Sequence, residues 1–88
     1  MNGNSVTSAV PVATSLWITL RFERGTHYFR LHLEQDLWGA WCLTRVKGRR
    51  GARPGRWLTT WPGSYDQGLA RMADAARHRR TRDYRLVR

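Results

Sequence analysis

Between Trp38 and Gly51 the chain reads WGAWCLTRVKGRRG, and ARPGR follows at once. Two indoles stand there among a dense set of cations, with glycines at 39, 48 and 51 between them. A guanidinium fork chelates phosphate oxygens, a glycine-rich segment turns its backbone amides toward an anion, and an indole offers a flat apolar surface to a base or sugar. The chemistry this combination suits is capture of a polymer that carries both phosphates and rings. On residue type and spacing, Lys47, Arg49, Arg50, Arg53 and Arg56 are the candidate phosphate contacts. Trp38, in a turn beside Gly39, is a candidate stacking surface. A second basic group, Arg77, Arg79, Arg80 and Arg82, follows an apolar-periodic segment and extends the same positive field.

The 88 residues carry 16 Lys+Arg against 6 Asp+Glu, a formal charge of +10. All but Lys47 of these cations are arginine, the side chain that pairs bidentately with phosphate and stacks on bases. Self-repulsion on this scale opposes compaction and favours a polyanionic partner, nucleic acid first and an acidic protein second. Other chemistries find little support. His27, His32, His78 and Cys42 lack the paired spacing of zinc ligands, and the carboxylates are scattered without a pair suited to acid-base work. The glycine-rich segment lacks a Gly-Lys-Ser/Thr ending, so nucleotide hydrolysis is not expected. No catalytic residue, cofactor, metal or small-molecule substrate is therefore anticipated. A single cysteine excludes an internal disulfide and fits a reducing cytoplasm. No segment reaches the ~18 apolar residues of a membrane span.

The elements that must position these groups follow from apolar periodicity. Residues 1–14 are small, polar or β-branched, and read as a disordered lead-in without a signal peptide's basic start and apolar run. From Ser15, Leu16, Ile18, Leu20 and Phe22 alternate with polar residues as a first strand, and Phe29, Leu31 and Leu33 form one face of a second. Asp36 and Gly39 supply a turn before a third strand, Trp41 to Val46. Gly48 is expected to break the pairing into a flexible connection to Gly55, after which Trp57 to Trp61 forms a fourth strand with both indoles inward. Ser64 and Gln67 have capping-box spacing, so a helix should begin there. Tyr65, Leu69, Met72, Ala73 and Ala76 make its apolar stripe, and Gly68 permits close approach to a strand. Tyr84, Leu86 and Val87 can close the sheet. The expected fold is α+β: an antiparallel sheet of about four to five strands against one C-terminal amphipathic helix.

The order HYFRLHLEQD, LWGAW, WCLTRVKGRRG and a helix ending in basic residues before Tyr84 resembles the WGR domain, a nucleic-acid-associated module of poly(ADP-ribose) polymerases and small bacterial proteins. The resemblance covers most of Ser15 to Tyr84. It implies a non-enzymatic domain over 15–88 that binds DNA, as duplex or at its ends, with single-stranded nucleic acid or RNA as a variant. Gly48 and Arg49 correspond to the last two residues of the family's motif. Lys47 stands where the family carries tryptophan, whose indole packs on a terminal sugar. An ammonium neutralises phosphate but offers no flat surface, so backbone binding with low sequence specificity should outweigh end recognition.

Overall fold

The computed structural model describes residues 14–53 and 55–87, so the lead-in expected over 1–14 lies outside the described residues apart from Thr14. Thr14–Leu16 is a single 3-10 turn, which moves the start of the first strand to Ile18. Five strands are present: β1 (Ile18–Arg24), β2 (His27–Gln35), β3 (Trp41–Arg49), β4 (Arg56–Thr60) and β5 (Arg85–Val87), the last following helix α1 (Tyr65–Thr81). Every neighbouring pair is antiparallel, and the order across the sheet is β4-β3-β2-β1-β5. The fold is thus α+β, one antiparallel sheet with one C-terminal helix against it.

Alternation decides which face is buried. Phe22 lies opposite Phe29, Leu20 opposite Leu31, and Leu33 opposite both Ile18 and Leu43. Cross-strand partners share a face, so these side chains form one apolar surface. Phe22, Leu31, Leu33 and Leu43 are fully buried there with Met72, Ala75, Ala76 and Tyr84. The buried side of α1 is rotated from the expected stripe: Gly68, Met72, Ala75 and Ala76 face inward and Ala73 faces solvent. Gly68 explains the rotation, because a methyl at that position would sit 2.6 Å from Leu33 Cδ1. Only a bare backbone lets the helix lie this close to β2.

At the helix start, Ser64 Oγ accepts the Gln67 N–H at 3.1 Å, while Gln67 Oε1 accepts the Gly63 N–H at 2.7 Å. The reciprocal cap therefore reaches one residue further back than a standard capping box. Ser64→Ala should cost about 1 kcal/mol and lower Tm by roughly 4–8 °C in a circular-dichroism melt. At the other end, Asp83 turns left-handed at φ 66, and the Tyr84 N–H returns to the Arg79 carbonyl at 3.1 Å. That reversal carries the chain from α1 into β5.

Two expectations about β3 and β4 need correction. Gly48 does not end β3; the strand pairs with β2 through Lys47, Gly48 and Arg49, and the connection spans only residues 50–55. Trp57 and Trp61 are not core residues but 64% and 58% exposed. The reason is topological, since β4 is an edge strand and α1 packs over β2 and β3. Among the described residues no helix is long and apolar enough to cross a membrane.

Candidate nucleic-acid interface

One end of the sheet gathers the start of β2, the end of β3, the start of β4 and the end of α1. Strand parity alone brings the cations there into line. Lys47 lies opposite both Phe29 and Arg56, Arg45 opposite Leu31 and Leu58, and Arg49 opposite His27. Arg45, Lys47, Arg49 and Arg56 therefore share the helix-side face with the core residues, beyond the point where that core ends. Arg79 meets them from the helix. An open cleft of about 540 Å³ is lined by Lys47, Gly48, Arg49, Arg56, Arg79 and Tyr84, with His27, Tyr28 and Gly55. A neighbouring hollow of about 370 Å³ shares Lys47, Arg56 and Arg79 and adds Arg45, Trp57 and Leu58. The two form one continuous cationic trough.

Arg79 is the fixed point of this trough. Its guanidinium carbon lies 3.9 Å from the Phe29 ring centroid and 5.2 Å from that of Tyr84, so the fork is held by two π faces. Arg79 extends the buried stripe of Met72, Ala75 and Ala76 by one turn and is half-buried, whereas Arg77, Arg80 and Arg82 are exposed. Two glycines shape the wall. A methyl on Gly48 would lie 2.8 Å from Tyr28 Oη, and one on Gly55 would collide with the Lys47 carbonyl. Close backbone approach at Gly55 thus brings β4 against the end of β3, which sets Arg56 beside Lys47.

The remaining predicted contacts diverge. Arg50 Nη2 donates to the Gly25 carbonyl at 2.9 Å and Nη1 lies 3.6 Å from Glu23, tying this arginine to the β1–β2 turn. The Arg21 hydrogen bond, backed by the charges of Arg50, Arg21 and Arg85, holds the Glu23 carboxyl below its ordinary value despite the opposing effect of burial. Arg53 is exposed in the connection and lines neither hollow. Arg77 pairs with Asp74 on the helix surface. Among the described residues, none of Arg45, Lys47, Arg49, Arg56 and Arg79 takes part in an ion pair. That separates the trough from an internally neutralised network: its charges are convergent and unspent.

Trp38 lies at the other end, in the turn between β2 and β3. The nine residues of β2 separate the two ends by about 26 Å. Trp38 is 82% exposed and Leu37 97%. Asp36 organises this turn: its carboxylate accepts the Trp38 and Ala40 N–H groups at 2.9 and 3.0 Å and the Trp61 indole N–H at 3.1 Å. Burial pushes this carboxyl upward, but the three hydrogen bonds together hold it below its ordinary value.

Sequence reading missed Arg45 and treated Arg79 as peripheral. Arg45 shares strand parity with Leu43 and Lys47, and Arg79 follows Ala75 and Ala76 at helical spacing. Both signals were present as periodicity rather than as a charge cluster. Burial, with the charges of Glu34 and Asp36, raises the Cys42 thiol and keeps it protonated at neutral pH. No group of His, Cys, Asp and Glu able to hold a metal occurs among the described residues. Compared with protein-family models, curated proteins and solved structures, the chain matches none.

Proposed function

We propose that this domain binds nucleic acid, duplex DNA first, without catalysis, by laying backbone phosphates along the trough of Lys47, Arg49, Arg56 and Arg79. The observation that carries this reading is the convergence of these cations on one face with no carboxylate among the described residues paired to any of them. A cation cluster without internal partners favours an external anion, and its width favours a polymer over a single small anion. Gly48 and the amides around it add donors that need no side chain. The resemblance of this segment to WGR domains supports the same assignment, with Lys47 as a phosphate contact in place of an indole. Sequence choice is expected to be weak, because phosphate contacts set register but read no base. Arg50, held by Glu23, and Arg53, outside the trough, contribute less than the four convergent cations.

Four phosphate contacts, at about 0.9 released counterions each, give a log-log slope of affinity against salt near −3.6 on duplex DNA. A titration by fluorescence anisotropy between low and moderate salt measures it. A flat response would remove electrostatic capture as the mechanism.

A second reading is an adaptor for an acidic protein partner. It draws on the exposure of Leu37 and Trp38 at the opposite end of the sheet. Capture experiments with and without nuclease separate the two: partners that survive nuclease favour the adaptor, and their loss favours nucleic acid.

A further inference from the structure

The helix covers one face of the sheet only, and the other face carries its own ordered set of polar and aromatic groups. The registers join five residues into a single row across it: Val87, Arg21, Arg30, Val46 and Trp57. Neighbouring strands lie about 4.8 Å apart, so Arg30 and Trp57 are separated by roughly 10 Å along this row. Tyr28, on the same face, sits under the Arg21 guanidinium at 4.8 Å and within 6.0 Å of Arg30.

Trp57 ends the row as a 64% exposed indole on the edge strand. Its neighbour Val46 is 1% exposed, so the floor beside the indole is closed while the indole itself stays open to solvent. The Arg30 side chain makes no hydrogen bond or ion pair among the described residues, and its Nε is buried without a partner. The acids on this face lie off the row. Glu23 is engaged by Arg21 and Arg50, and Glu34 is opposite Cys42, near the far end of the strand pair.

We propose that this face is a second binding surface, for an unpaired nucleic-acid strand, with Trp57 as the platform on which a base stacks and Arg30 as the phosphate contact, Arg21 being held by Glu23. The row offers what such a strand alternates: an open π surface, then an unpaired guanidinium, that of Arg30, within reach of its backbone. A duplex hides its bases in its own stack and cannot use the indole in this way, whereas an unpaired base can. The net charge of +10 opposes burial of this face against a second copy of the chain and favours a polyanion. Trp57 also borders the second hollow of the trough, whereas Arg30 lines neither hollow and belongs to this face alone, so its substitution separates the two surfaces.

The test is fluorescence anisotropy with a labelled oligothymidine dodecamer and with a blunt duplex of about 20 base pairs, using the full chain. Trp57 is mostly exposed, so its substitution should leave the fold intact, which the far-ultraviolet spectrum checks. Trp57→Ala should weaken oligothymidine binding about tenfold and Trp57→Phe should retain most of the single-strand affinity, while Arg30→Gln, away from both hollows, should weaken oligothymidine several-fold and leave duplex affinity within about twofold. The paired change Lys47→Ala with Arg49→Ala should do the reverse and weaken the duplex more. Unchanged oligothymidine affinity in Trp57→Ala, an equal loss on both probes in Arg30→Gln, or a change confined to self-association in sedimentation would overturn the proposal. Loss of the trough effect alone, with the Trp57 effect kept, would sink the duplex reading and leave this one standing.

Discussion

Arg79→Glu is expected to lower duplex DNA affinity by about a hundredfold at low salt, the largest binding loss from any single substitution in the trough. Three things make this position more costly than its neighbours. Arg79 borders both hollows, so its charge faces every phosphate path that Lys47 and Arg56 serve. Its fork is held against Phe29 and Tyr84, so little side-chain freedom is lost when an anion binds. Charge reversal both deletes a favourable contact and sets a carboxylate against phosphate, and like charges brought together add a repulsion of their own. Arg79→Gln should lose about tenfold and flatten the salt slope by about one unit, uniformly across DNA sequences. Arg80→Glu, on the exposed side of the same helix, is the control and should change affinity by a few-fold at most. Equal losses for Arg79→Glu and Arg80→Glu would mean that net charge matters and the trough does not.

Leu33→Ala is expected to destabilise the fold by about 2–5 kcal/mol, a large share of the ~5–15 kcal/mol available to a domain of this size. Leu33 is fully buried between β2 and α1 and touches the helix at its closest point of approach, Gly68. The same contact makes the effect of Gly68→Ala depend on its background. In the parent chain the new methyl would meet Leu33 Cδ1 at 2.6 Å and Cδ2 at 3.2 Å, an overpacked contact that offsets the ~1 kcal/mol gain in helix propensity. With Leu33 cut back to alanine the space is open, and Gly68→Ala should restore about 1 kcal/mol. A double-mutant cycle by urea denaturation measures this coupling. Simple additivity would show that the helix does not rest on Leu33 as described.

The sheet was readable because its strands are half-buried: period-two alternation in β1 and β2 distinguishes Phe22, Phe29, Leu31 and Leu33 from the polar residues between them, whereas β3 buries Cys42, Leu43, Thr44 and Val46 from both faces. The fourth strand was readable as a strand and not as an edge. Trp57, Thr59 and Trp61 recur at period two like an inward face, and nothing local reports that β4 lies at the edge and that Trp57 faces away from the helix. The helix stripe was misaligned because Gly68, which opens the buried line, has no side chain to mark it. Composition found the cations of the site but not their grouping. Arg49 and Arg50 are adjacent and equal in type, yet strand parity sends one to the cleft and the other to Glu23. Such a separation depends on β3 continuing through Gly48, which the usual disruptive effect of glycine on a strand argued against.

The most direct test of the central claim is a nitrogen-proton correlation titration of the labelled protein with a short blunt duplex. Backbone resonances of Lys47, Gly48, Arg49, Arg56 and Arg79 should shift together with one dissociation constant, while those of Leu37 and Trp38 at the other end of the sheet stay in place. Shifts centred on the Leu37–Trp38 turn, or a titration that leaves the trough resonances unmoved, would contradict the account.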